Sequence, residues 1–110
     1  MNWIPLNTIN QLEAIRNNTT QNCIIFKHST RCPVSSMAKR TITYGADAIP
    51  EDVPVYYLDL IAYREVSDAI AQWWGVTHES PQLLIIKGDK AVFHASHGDI
   101  DMDELLKHLI

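Results

Sequence analysis

The chain has 110 residues, two of them cysteine, and is 46% apolar and 20% charged. That length suits one domain, expected over residues 1–110, and the composition excludes a disordered segment or a fibre. Nine basic against thirteen acidic residues leave a net charge of −4, a poor basis for nucleic-acid binding, and two cysteines are too few for a disulfide framework.

In chain order, Trp3 to Leu6 is a short apolar piece whose Pro5 confines it to a sheet edge. Thr8 and Gln11 form a capping-box pattern, and Ile9, Leu12 and Ile15 follow at helical spacing. After a polar loop, Cys23 to Phe26 reads as a central parallel strand buried on both faces. Pro33 opens a second helix, with Val34, Met37, Ala38, Thr41 and Ile42 as its expected inner face and Gly45 as its cap. Val55 to Leu58 is a strand. Val66, Ala69, Ile70 and Trp73 make a third helical stripe closed by Gly75, with Trp74 at its edge. Leu83 to Ile86 and Ala91 to Phe93 flank the turn signal Gly88-Asp89 as a hairpin. Asp101 and Glu104 make a capping pattern before Leu105, Leu106 and Leu109. The order β-α-β-α-β-α-β-β-α predicts an α/β fold, a mixed central sheet between two layers of helices.

The chemistry concentrates where the second strand runs into the second helix, at Thr30-Arg31-Cys32-Pro33-Val34-Ser35. Proline at the first helical position places Cys32 at the N-cap, beside the unpaired N–H groups and the positive end of the helix dipole. Arg31 and Lys27 add positive charge. These surroundings favour a thiolate nucleophile at neutral pH. Three residues on, where a dithiol oxidoreductase carries its second cysteine, stands Ser35, which can hydrogen-bond a thiolate but cannot form a disulfide. Cys23 lies at the other end of the strand, ~16 Å away by strand rise and beyond the ~7 Å reach of a disulfide. It reads as a small buried apolar residue. A proline at Pro81 opens the strand before the hairpin.

Cys-Pro-X-Ser at the first crossover, Pro81 before the hairpin, Gly98 after it and a closing helix together resemble a thioredoxin fold. Lys27 to Thr30 leading into Cys32-Pro33-Val34-Ser35, with His78 to Gln82 later, resembles the narrower YtxJ family of monothiol bacilliredoxins. Family members typically carry Thr-Cys-Pro-Ile-Ser; here Val34 replaces the isoleucine and Arg31 precedes the cysteine. The resemblance implies that Cys32 is the sole catalytic thiol, that Pro81 is a cis-proline facing it, and that the Ser80 backbone pairs with an extended substrate. It also implies an activity, the removal of bacillithiol from S-thiolated client proteins, with the small thiol as co-substrate and no bound cofactor.

Two further readings stay open. A monothiol glutaredoxin holding an iron–sulfur cluster typically shows Cys-Gly-Phe-Ser, from which Pro33 and Val34 depart. A redox-silent adaptor would keep the fold with an unactivated Cys32. A metal site is not expected, because Cys23, His28, Cys32, His94 and His97 lack paired ligand spacing. With no secretory pattern and no apolar run of ~18 residues, the expectation is a cytoplasmic protein without membrane or nucleic-acid partners. The oligomeric state is left open.

Overall fold

A computed structural model describes residues 1–109. Five strands, β1 (Trp3–Pro5), β2 (Cys23–His28), β3 (Val55–Asp59), β4 (Gln82–Lys87) and β5 (Lys90–Ser96), form one sheet in the order β1-β3-β2-β4-β5. β1 and β2 run parallel to β3, β4 runs antiparallel to β2, and β5 returns antiparallel to β4. Pro5 sits on the edge strand, where its missing N–H breaks no ladder.

Four helices cover the sheet: α1 (Ile9–Asn17), α2 (Pro33–Tyr44), α3 (Arg64–Trp74) and α4 (Met102–His108). The capping box forms as read. Thr8 Oγ1 accepts from the Gln11 N–H at 3.2 Å, and Gln11 Oε1 accepts from the Thr8 N–H at 3.1 Å. At the last helix only half the pattern is used: Asp101 accepts from the Asp103 N–H, while Glu104 pairs instead with Lys107.

Period-two alternation along β2 divides the core. Cys23 and Ile25 face α1 and α3, joining Leu12, Ile15, Val66, Ile70 and Trp74. Ile24 and Phe26 face α2 and α4, joining Ala38, Ile42 and Leu105. Every residue of β2 is buried, as its central position requires. One partner strand is antiparallel, so the strand is not parallel on both sides.

Two helix faces differ from the expected ones. The inner face of α2 is Ser35, Ala38 and Ile42, whereas Val34 and Met37 are 46% and 64% exposed and Thr41 is also exposed. The face is turned by one residue, about 100°, because Ser35 has buried hydrogen-bond partners and takes an inner position despite its hydroxyl. On α3 the buried stripe runs Val66, Ile70, Trp74 at steps of four, so Trp74 is buried and Trp73 lies at the edge under Arg16. The Trp74 indole N–H donates to the Gly88 carbonyl at 3.0 Å, which satisfies its one polar atom. Gly75 caps α3 in the left-handed region at φ +67, a conformation open to glycine.

Candidate active site

The parallel register pairs His28 with Asp59, and the antiparallel register pairs Lys27 with Gln82. The loop after β2, the turn after β3 and the loop before β4 therefore gather at one end of the sheet. This is the carboxyl end of β2 and β3, where α/β folds place their sites.

Cys32 is the N-cap of α2, with extended backbone at φ −110 and ψ 118, and Pro33 occupies the first helical position. Its side chain makes no capping hydrogen bond. The sulfur is free and partly exposed. Its backbone is held on both sides: the Cys32 N–H donates to the Ser29 carbonyl at 3.2 Å, and the Ser36 N–H donates to the Cys32 carbonyl at 3.1 Å. Thr30, Arg31 and Pro33 are exposed around it.

Ser35 is brought to the site, though not as a partner of the sulfur. Fully buried, its Oγ accepts from the Ser29 N–H at 3.0 Å and lies 2.6 Å from His28 Nδ1. Its hydrogen bonds go to the strand end and the loop, not to Cys32, because the third helical position points its side chain under the helix. The expected thiolate contact is thus replaced by a brace on the loop that carries the thiol. His28 proves to be buried, stacked at 5.8 Å from Phe26 and 5.4 Å from Tyr57, and does not face solvent. Burial pushes its imidazole below the ordinary value, helped by Lys39; Asp59 and the hydrogen bond from Ser35 oppose this. It is accordingly neutral at pH 7.

Lys27 does not add charge beside Cys32. Alternation turns it to the opposite face of the sheet, where it is fully buried under α3. Its Nζ donates to the Ser67 carbonyl at 3.1 Å and lies 3.3 Å from His78 Nδ1, with Ser67 Oγ 3.2 Å from the same nitrogen. Burial, the main cause, lowers its amine from 10.5 to about 8; Asp68 raises it and Arg64 lowers it further. His78 is also lowered, first by burial and then by Lys27 and Arg64, with Asp68 and Glu79 opposing. His28 and His78 are the site residues that sequence reasoning underused, and the two-residue period of β2 carried the signal for the first.

His78 begins the segment that reaches Ser80-Pro81, whose peptide bond is cis. Pro81 is buried and Ser80 partly so, and Ser80 Oγ has no hydrogen-bond partner among the described residues. The Pro81 carbonyl accepts from the His97 N–H at 3.0 Å. His97 holds a left-handed backbone at φ +54 and places Nδ1 3.4 Å from Glu79 Oε2. Cys23 is buried and also free, its thiol pushed up by burial to about 12, with a hydrogen bond to the Ile86 backbone opposing. No group of three or more metal-ligating side chains occurs among the described residues, and no described helix is long and apolar enough to cross a membrane.

Comparisons with known proteins agree with this geometry. The family profile described as monothiol bacilliredoxin BrxC matches residues 4–105. A solved structure described as a candidate oxidoreductase with a thioredoxin fold is 33% identical, covering 96% of this chain and 92% of its own, with a TM-score of 0.82. Thioredoxins of Malassezia sympodialis and Trypanosoma brucei brucei each superpose with a TM-score of 0.77, at 12% and 14% identity. The first covers 96% of this chain and 88% of its own, and the second 98% and 88%. These last two bear on fold alone: the mixed sheet and its helices are a thioredoxin fold.

Proposed function

The chain belongs to the monothiol bacilliredoxin family, a thiol redox family, and from that membership we propose that it removes a low-molecular-weight thiol, bacillithiol, from S-thiolated client proteins by exchange at Cys32. One observation carries the reading. Of two free cysteines, one is partly exposed at a helix N-cap with a hydroxyl in place of a second thiol three residues on. The other is buried, with its thiol pushed up to about 12.

The Cys32 thiolate attacks the small-thiol sulfur of the client mixed disulfide. The bond between client and small thiol breaks, and a disulfide between Cys32 and the small thiol forms. The client leaves as a thiolate and takes a proton from solvent. No second protein thiol is in reach, so an external thiol clears Cys32 in the same way. Ser80 and Pro81 supply an extended backbone edge for the client, and Thr30, Arg31 and Pro33 border the sulfur.

The test is turnover of a bacillithiol-capped client, with mass spectrometry of Cys32 after exposure to oxidised bacillithiol or oxidised glutathione. Cys32→Ser is expected to abolish turnover and the adduct. Cys23→Ala is expected to retain both. A folded Cys23→Ala protein without turnover would overturn the monothiol scheme.

A further inference from the structure

Along α2, the residues Cys32, Ser36, Lys39, Arg40 and Thr43 recur at steps of three and four, so they share one helix face. That face borders a groove of about 430 Å³ lined by His28, Ser36, Lys39, Arg40, Thr43 and Tyr44, a volume suited to a small molecule. Its lining carries two cations and no carboxylate. Neither cation is neutralised: among the described residues, Lys39 and Arg40 take part in no ion pair. Lys39 Nζ lies over the Tyr57 ring, 4.9 Å from its centroid, which holds the charge against the sheet while leaving its hydrogens available. In a chain of net charge −4, two uncompensated cations on the nucleophile's own helix face are a local exception.

The groove is joined to the thiol by direct contacts. Ser36, at its near end, donates its N–H to the Cys32 carbonyl. His28, a wall of the groove and 95% buried by its 5% exposure, has Nδ1 2.6 Å from Ser35 Oγ, which in turn braces Ser29. Seven residues of helix separate Cys32 from Lys39, a reach of ~10 Å. That is the span of a small thiol built from a few linked units.

We infer that this groove holds the anionic portion of the small-thiol substrate, a carboxylate-bearing thiol, with Lys39 and Arg40 as its binding residues while its sulfur is exchanged at Cys32. The inference rests on the proposed exchange at Cys32 and adds the chemical class of the thiol. Bound along the helix, the carboxylates fix the direction from which the sulfur approaches Cys32, and a neutral or cationic thiol of the same size lacks that anchor.

The experiment compares three disulfides of similar size, bis(carboxyethyl) disulfide, bis(hydroxyethyl) disulfide and cystamine, as anionic, neutral and cationic probes. Rates of adduct formation on Cys32 are followed by mass spectrometry. The anionic probe is expected to react about fivefold to tenfold faster than the neutral one, the scale of one or two exposed charge contacts, and the cationic probe slowest. In Lys39→Gln/Arg40→Gln the anionic-to-neutral ratio is expected to fall to about one. In parallel, succinate is titrated into the Cys32→Ser protein and followed by amide NMR shifts. Succinate is expected to move Ser36, Lys39, Arg40 and Thr43, and adding the double substitution is expected to remove the effect. An unchanged ratio in the double variant, or succinate shifts confined to another surface, would overturn the inference. If no probe forms an adduct on Cys32, the exchange reading itself fails, and the succinate titration still decides the groove.

Discussion

Replacing Lys27 by methionine probes the buried polar group beneath α3. With its amine lowered from 10.5 to about 8, the folded chain releases this proton before the unfolded chain does. Below about pH 8 the amine is charged in both states, and the full desolvation penalty opposes folding. As pH rises from about 8 towards 10.5, the unfolded chain holds the extra proton, so stability increases with pH. A shift of two to three units corresponds to about 3 kcal/mol in all, and the rise between about pH 7 and about pH 9 is about 1.4 kcal/mol. That window isolates Lys27. Cys23, pushed from 9.0 to about 12, lowers stability only above about pH 9, where the unfolded thiol ionises first. His28 and His78, both lowered from 6.5, act on the acid side.

Lys27→Met preserves much of the volume and leaves both partners satisfied. The Ser67 carbonyl lies inside α3, where the helix ladder supplies a donor, and His78 keeps Ser67 Oγ at 3.2 Å. Urea unfolding followed by tryptophan fluorescence is expected to show the rise in the parent protein and none in the variant. The variant is expected to be at least as stable at pH 7. An equal rise in both proteins, or none in the parent, would refute the assignment of a costly buried ammonium at this position.

Ser35→Ala strands the Ser29 N–H and His28 Nδ1; at about 1–3 kcal/mol for each unsatisfied buried group, urea unfolding is expected to show a loss of about 2–4 kcal/mol. A loss below half of that would mean that water replaces the hydroxyl. Gly75→Ala meets no atom within 4 Å but must hold φ +67, so the expected cost is the left-handed strain alone, about 1 kcal/mol, read as a shift in the urea midpoint with an unchanged slope.

The element order and the place of Cys32 were legible because each rests on local chemistry. Pro33 fixes a helix start wherever the rest of the chain lies, and Thr8 with Gln11 close a box within one turn. Faces were harder to read, since an apolar side chain is not thereby buried. Val34 and Met37 look like core residues and lie on the surface, while Ser35 looks like surface and is enclosed because the strand end and loop supply partners for its hydroxyl. Lys27 was placed beside Cys32 by nearness in sequence, although one step along a strand reverses the side chain's direction.

That reversal organises the site. Lys27 and His28 are consecutive polar residues at the end of a buried strand, and each carries its hydrogen bonds to a different loop. Lys27 reaches His78, two residues before Ser80, on the α3 side. His28 reaches Ser35, and through it Ser29 in the loop bearing Cys32, on the α2 side. The thiol and the Ser80-Pro81 edge are thus held to one rigid strand by two separate braces that share no partner. Substitutions at the two positions should therefore add in their effect on stability, as independent sites do. They should separate in their effect on chemistry: loss of the His28 brace loosens the nucleophile, and loss of the Lys27 brace loosens the edge where a client strand would pair.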